Sequence, residues 1–421
     1  MEQQKQGGRC DVVVVGAGAA GLACAADLTV AGLAVRVLEA SDAVGGRMRT
    51  DRHRGFLLDR GFQVFNTSYP QVKRRLELGP LRLRPFTPGV LVHTSRGRLR
   101  FADPTRVPSA TADLLPGRLA SGRDLAALGL LSVRDMVLPA ARLRAGPDTT
   151  TLTALAAAGI SPALVETLLR PFLSGIFLED QLETSSRFFH FVWRSMLRGT
   201  LALPAEGIGA VPGQLAARLP EGTVRTHAPV CELTDEGVFL QDATDVAAPV
   251  VVVATGPGAA ARLLPGLTAP PTRTVTTYYH AADRSPLTEP TLMVDERRRF
   301  LNTVVLTEVQ PGLSPDGRAL VATSVLGAAG PADEPALTAA LSDVYDTDAA
   351  AWEPLHRCTV REALPAMPAP HAMTRTTRFA PGRYVCGDHR ATGSFQGALA
   401  SGTRAAREVL ADRRRAATRM R

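Results

Sequence analysis

Residues Asp11 to Arg49 constrain this chain more than any other stretch. Val12-Val13-Val14-Val15 is a continuous apolar run, the pattern of a strand buried on both faces. Gly16-Ala17-Gly18-Ala19-Ala20-Gly21 follows directly, and Leu22 to Ala31 then places small and apolar residues at helical spacing. Gly32 stops that helix, and Ala34 to Glu39 reads as a second strand. The stretch predicts a complete β-α-β unit of a doubly wound α/β sheet. Glycine turns alone are common; here strand, helix and a later acid supply the context a dinucleotide site requires. Gly16 permits the tight turn, Gly18 lets backbone approach a pyrophosphate, and Gly21 lets helix and strand pack closely. The helix start offers unpaired N–H groups and a partial positive charge to phosphates.

Glu39 ends the second strand, where an acid accepts hydrogen bonds from the adenosine ribose. It also repels a 2′-phosphate, which disfavours NADP and leaves FAD and NAD. Asp42-Ala43-Val44-Gly45-Gly46-Arg47-Met48-Arg49 follows soon after. Its glycines allow backbone close to a cofactor, and Arg47 can neutralise phosphate charge. A plain NAD dehydrogenase needs no such second anchor.

Composition limits the alternatives. With 421 residues, 45% of them apolar and 21% charged, the chain reads as an ordinary globular protein of two to three domains. Lys and Arg together number 48 against 40 acids, and Lys5 and Lys73 are the only lysines. Arg413, Arg414, Arg415, Arg419 and Arg421 concentrate the positive charge at the C-terminus, which reads as a solvated tail. No nucleic-acid partner is expected, while peripheral contact with an anionic membrane stays open. The five cysteines form no C-x-x-C pair, and no segment reads as a transmembrane span or a secretory signal. These features lead to an expectation of a cytoplasmic protein without disulfides.

Further along, Thr87 to Leu203 is rich in amphipathic helical segments such as Gly122 to Leu131 and Ser161 to Leu169. Strand character returns at Thr223 to Leu233, Gly237 to Leu240, Pro249 to Ala254, Arg273 to Val325 and Arg383 to Asp388, and a small-residue helix spans Gly397 to Ala411. The expected architecture is a doubly wound Rossmann-type cofactor domain interleaved with an α+β substrate domain of mixed sheet and helices. The division is 1–86, 204–270 and 356–421 for the cofactor domain, and 87–203 and 271–355 for the substrate domain. Gly207 and Gly209 follow no buried strand and read as a turn before a helix, not as a second dinucleotide site.

Taken together, GAGAAG, Glu39 and AVGGRMRT resemble the N-terminal signature of the FAD-dependent amine oxidase, phytoene desaturase and protoporphyrinogen oxidase superfamily. Gly55 to Phe65 resembles its next segment, Leu203 to Gly213 its return to the flavin domain, and Gly387 to Gly402 its C-terminal signature. The resemblance implies an FAD-dependent oxidoreductase. The residues it assigns to the cofactor are Gly16, Ala17, Gly18, Ala19, Ala20, Gly21, Glu39, Ala40, Gly45, Gly46, Arg47, Gly61, Phe62, Gln63, Val64, Val230, Gly387, Asp388, Gln396, Gly397 and Ala398. Asp388 would bind ribityl hydroxyls, and the helix starting near Gln396 would direct its positive end at the flavin, where charge accumulates on reduction.

Many amine oxidases of this superfamily carry a lysine near the flavin, whereas Lys73 sits in an early segment with the pattern of a solvated helix face. That shifts the expectation towards the phytoene desaturase-like branch, with hydride abstraction from an apolar or polyene-like molecule and oxygen, a quinone or another acceptor as reoxidant. An amine substrate, a redox-neutral flavin-dependent isomerase and a scaffolding flavoprotein remain alternatives. His389 and Phe395 are candidates for the flavin-facing wall. Phe188, Phe189, His190, Phe191 and Trp193, and separately Tyr278, Tyr279 and His280, read as core packing before substrate contacts.

Overall fold

The computed structural model describes residues 10–103, 105–108 and 119–419. The strand Val12–Val15 lies between Val35–Leu38 and Val250–Val253 and pairs in parallel with both. Val224–Arg225 and Arg383–Val385 extend the parallel array at its two ends, and Arg378–Ala380 adds an antiparallel edge strand. A strand flanked on both sides and covered on both faces meets no water, which is why it tolerates an unbroken apolar run. Val12 to Val15 and Val250 to Val253 are accordingly at most 7% exposed.

The helix Ala19–Val30 packs against the C-terminal helix Phe395–Arg419. Their backbones approach so closely that a Cβ on Gly402 would overlap the Ala20 carbonyl oxygen, which accounts for the small residues Ala400, Ser401, Gly402, Ala405 and Ala406. This helix runs past Ala411, where the sequence ended it, and the arginine-rich segment forms its last, solvent-exposed turns. Arg413 pairs with Asp11 at 3.0 Å, while Arg421 lies outside the described residues.

A second, mostly antiparallel sheet has the strand order Glu353–Pro365, Thr272–Ala282, Ala319–Leu326, Asn302–Val305, Leu292–Asp295, Gly89–Thr94, Gly97–Ala102. Its parallel pair joins Leu292–Asp295 to Gly89–Thr94. The domain boundary placed after residue 355 falls inside the strand Glu353–Pro365, whose whole length belongs to this sheet. Helices cover the sheet: Gly122–Val137, Thr151–Ala157, Ser186–Arg198, and a run from Pro162 to Phe177 with a π turn at Val165–Leu169. Ser121, Thr150, Ser161 and Ser185 each cap a helix start by accepting a backbone N–H. Leu128, Leu131, Phe177, Phe188 and Phe189 share one apolar cluster with Val90, Val92 and Val294 of the sheet.

The hairpin Thr50–His53/Phe56–Asp59 meets the antiparallel sheet, where the Tyr279 hydroxyl donates to the Asp59 carbonyl at 2.6 Å, and also holds the segment after Leu203. Ile208 N–H donates to the Asp59 carboxylate and Gly209 N–H to Thr50 Oγ1, both at 2.9 Å. The Gly207 to Gly209 segment is therefore a tight turn, with φ +80° at Gly207, leading into the helix Ala210–Ala216. Burial raises the Asp59 carboxyl to about 6, against hydrogen bonds from Thr50 and Ile208 that favour its charged form.

Candidate active site

A cavity of about 1020 Å³ is lined by residues of both large sheets and of the helical layer. Ligand pockets run to roughly 300–1,000 Å³, so this one has room for a large cofactor together with a small molecule. Of the residues assigned from sequence, Gly16, Gly18, Ala19, Ala20, Glu39, Ala40, Gly45, Gly46, Arg47, Gly61, Phe62, Gln63, Val64, Val230, Gly387, Asp388, Phe395 and Ala398 lie on its wall. Segments from five separate parts of the chain meet there.

Ala17, Gly21, Gln396, Gly397 and His389 are not on that wall, and each has another role. The Ala17 N–H donates to Glu39 Oε2 at 2.8 Å, and its side chain is buried. A Cβ on Gly21 would overlap the Gly16 carbonyl oxygen, and one on Gly397 the Thr392 carbonyl oxygen, so both glycines serve close packing. Gln396 turns away and accepts the Gln71 N–H at 2.9 Å. His389 packs its ring over Gly387; a Cβ at that position would lie 2.5 Å from it. Neither His389 ring nitrogen has a partner among the described residues, and burial pushes the imidazole down to about 4. His389, a candidate for the flavin-facing wall, is thus a packed ring off the cavity lining.

The glycine loop fits a dinucleotide. Gly16, at φ +103°, turns out of the first strand, and Gly18 starts the helix in extended conformation with no side-chain cap. A Cβ on Gly18 would meet no protein atom within 4 Å. The open space beside Gly18 is therefore the cavity, and the uncapped first turn presents its amides there, as an anion requires. Gly45 and Gly46 take φ of +118° and +60°, and Gly45 N–H donates to the Ala17 carbonyl at 2.9 Å, stitching the Gly-Gly-Arg segment onto the glycine loop.

Glu39 is held by three donors: Ala17 N–H at 2.8 Å, Ser41 N–H at 2.9 Å and Ser41 Oγ at 2.7 Å. A carboxylate has about four acceptor sites, so one remains for a ribose hydroxyl. Ala228 N–H donates to the Glu39 carbonyl at 2.8 Å, which brings Pro229, Val230 and Cys231 to the same part of the wall. Arg47, on the same wall, pairs with Asp388 at 2.7 Å and donates to the Ala363 carbonyl at 2.7 Å, so an internal carboxylate already matches its charge. Asp388 also accepts the His389 N–H at 3.0 Å and is 4% exposed.

Opposite the glycine loop the wall is apolar. Phe172, Ile176, Phe188, Val192, Met196 and Leu292 contribute to it, and Phe395 lies on it with its ring 6.3 Å from that of Phe65. Asn302 and Ser324, paired across neighbouring strands, are the neutral polar side chains there. Asn302 is 6% exposed, and its Oδ1 has no partner among the described residues. Sequence reading missed both, because only the sheet register brings them together. It also missed Phe172 and Ile176, one helical turn apart in a stretch that reads as ordinary core.

The aromatic clusters divide. Phe188 reaches the cavity, but Phe189 and Trp193 pack in the helical core, and His190 meets Asp135 at 2.8 Å. The Tyr278 hydroxyl donates to the Gly330 carbonyl and that of Tyr279 to the Asp59 carbonyl, while burial holds His280 down at about 4. Lys73 is exposed on the helix Pro70–Arg75, as its pattern implied.

The fold is that of the FAD-binding flavin amine oxidases. The chain belongs to the flavin containing amine oxidoreductase family, whose model matches residues 19–410, and FAD is the cofactor of that family. It is 33% identical over 144 residues to a coproporphyrinogen III oxidase of Propionibacterium freudenreichii, covering 31% of this chain and 27% of the relative. It is 28% identical over 222 residues to that of Bacillus subtilis, covering 48% of this chain and 45% of the relative. The chain thus spans less than half the length of these curated relatives. Cyclohexylamine oxidase from Brevibacterium oxydans shares the fold with a TM-score of 0.71 at 18% identity, over 96% of this chain and 99% of that one.

Proposed function

We propose that this protein removes a hydride from a neutral, largely apolar small molecule, a polyene or a reduced ring system being the leading candidates. The observation that carries this reading is the wall contributed by the helical layer and the antiparallel sheet. It holds no lysine, arginine or histidine, and its one carboxylate, Glu362, packs directly against Gly256 and Gly258. A polycarboxylate would find no opposite charge there and an ammonium only Glu362, already packed against Gly256 and Gly258, and burying either unpaired is expensive. FAD, when bound, supplies the hydride acceptor. The glycine loop and the first turn of Ala19–Val30 hold its pyrophosphate, Glu39 its ribose, and Ala228 to Cys231 its adenine. Gly61 to Val64 and Gly393 to Ala398 flank the ring. Asn302 and Ser324 orient the substrate by hydrogen bonds, while the surrounding apolar side chains exclude water. In this reading the flavin domain comprises 1–86, 204–270 and 366–421, with the substrate domain between, and oxygen or a quinone reoxidises the cofactor.

Anaerobic stopped-flow absorbance with panels of polyenes, porphyrinogens and amines tests the proposal. Flavin bleaching is expected with neutral apolar compounds and not with amines. Bleaching by amines alone, or product formation from an apolar compound with no bleaching at any stage, overturns it.

A further inference from the structure

The helix Gly122–Val137 is apolar on the side that faces away from the protein. At 3.6 residues per turn, Arg123, Ala126, Leu130, Val133, Arg134 and Val137 share one face, and Asp124, Leu128, Leu131 and Asp135 share the opposite one. The second set is buried. On the first, Leu130 and Val137 are each 74% exposed and Val133 is 59% exposed, with Met136 beside them at 42%. Large aliphatic side chains clustered in water on one helix face mark an interaction surface.

The charges around this face select its partner. Both acids of the helix are withdrawn from solvent: Asp124 is bound by Ser121 and Ser161, and Asp135 by Arg134 and His190. Arg123 on that face, and Arg142 and Arg144 on the helix Ala140–Ala145 that follows directly, therefore remain as exposed positive charges, with Arg198 of the neighbouring helix donating to the Met136 carbonyl at 3.2 Å. A second copy pairing through this stripe would set those arginines against their equivalents. An anionic bilayer would instead neutralise them while taking up Leu130, Val133 and Val137.

We propose that the outward face of Gly122–Val137 docks this protein on an anionic lipid surface, with Leu130, Val133 and Val137 in the acyl boundary and Arg123, Arg142 and Arg144 among the headgroups. No helix among the described residues is long and apolar enough to cross a membrane, so the contact is one of lying on the surface. Leu128 and Leu131 belong to the same apolar cluster as Phe188 and Val192 of Ser186–Arg198, two residues of the cavity wall. The lipid surface would thus lie one helix away from the part of the cavity to which an apolar substrate is assigned, although the docking itself does not depend on that assignment.

The test is cosedimentation of the FAD-loaded full chain with vesicles of phosphatidylcholine and phosphatidylglycerol, or of phosphatidylcholine alone, followed by flavin absorbance. The protein should pellet with the anionic vesicles, be released by high salt, and stay in solution with neutral ones. Leu130→Gln/Val137→Gln should abolish pelleting with an unchanged flavin spectrum. Arg142→Gln/Arg144→Gln should weaken it by about fivefold for each charge removed. Failure of the unaltered protein to pellet with anionic vesicles at low salt, or equal pelleting of the aliphatic variant, overturns the proposal. So does a dimer in light scattering that the aliphatic variant dissolves, since a second copy would then cover this face.

Discussion

Two glycines of one loop should respond in opposite ways to the same added methyl group. Gly18 sits at φ −73°, ψ 176°, a conformation open to alanine, and a Cβ there meets no protein atom within 4 Å. Alanine at a helix N-cap costs about 0.5–1 kcal/mol relative to glycine, and its smaller unfolded-state entropy returns about 0.4–1 kcal/mol. Gly18→Ala should therefore leave the apoprotein within about 1 kcal/mol of the parent. The methyl would nevertheless stand where the pyrophosphate must approach the backbone. Losing one hydrogen bond to a charged group removes about 1.5–3 kcal/mol, or roughly ten- to a hundredfold in FAD affinity. Gly21→Ala acts through the fold instead, because its Cβ would overlap the Gly16 carbonyl oxygen and drive the helix Ala19–Val30 off the sheet. Such overpacking costs about 1–3 kcal/mol, and the apoprotein should melt lower by about 2–4 °C for each kcal/mol. Thermal unfolding of the apoproteins by circular dichroism, and FAD titration followed by flavin fluorescence, separate the two. Parental FAD affinity in Gly18→Ala, or a parental melting temperature in apo Gly21→Ala, would refute the division of labour argued for these residues.

Asn302→Leu should leave stability unchanged or raise it by about 1 kcal/mol, because it removes an unpartnered buried oxygen, yet lower kcat/KM about tenfold; loss of both points to a structural role for the amide. His389→Gln should leave the pH profile of flavin reduction unmoved between about pH 5 and 8, since burial already keeps the ring neutral there; a shifted limb would return His389 to the catalytic candidates. Asp59, raised to about 6 in the folded state, binds its proton more tightly folded than unfolded, so its contribution to stability is greatest at low pH and falls as pH rises from about 4 through 6. Asp59→Asn should lack that decline, and urea denaturation of the two proteins across this range would show a gap widening by about 1–3 kcal/mol; parallel curves contradict the assignment.

What could be read from the sequence is what local rules enforce. Val12 to Val15, the glycine loop and Glu39 are fixed within one β-α-β unit, where burial on both faces, helix start and strand end each leave a mark within a few residues. Gly387, Asp388, Phe395 and Ala398 were legible for the same reason. Residues set by tertiary register were not. Asn302 and Ser324 come to one wall through the pairing of Asn302–Val305 with Ala319–Leu326, which no periodicity reveals. His389, expected on the flavin-facing wall from its signature segment, instead lies with its ring folded against Gly387, a contact that only tertiary packing sets. The boundary at 355 cuts the strand Glu353–Pro365, which lies wholly in the antiparallel sheet and shows no change in composition at that point.

Arg47 shows what the interleaving accomplishes. Its guanidinium belongs to the Gly-Gly-Arg segment, the carboxylate it binds comes from the C-terminal block, and the carbonyl it also holds lies on the long strand of the antiparallel sheet. The pair is largely withdrawn from solvent on the Asp388 side, at 5% side-chain exposure, so removing one partner would strand a buried charge. None of the three groups is near another in sequence, and the contact exists only when all three blocks have folded together. The cofactor wall is thus not a finished module to which a substrate domain has been attached. Its Gly-Gly-Arg edge is closed by a strand of the sheet that also builds the apolar wall, so the geometry offered to the flavin and that offered to the substrate are set by the same contacts.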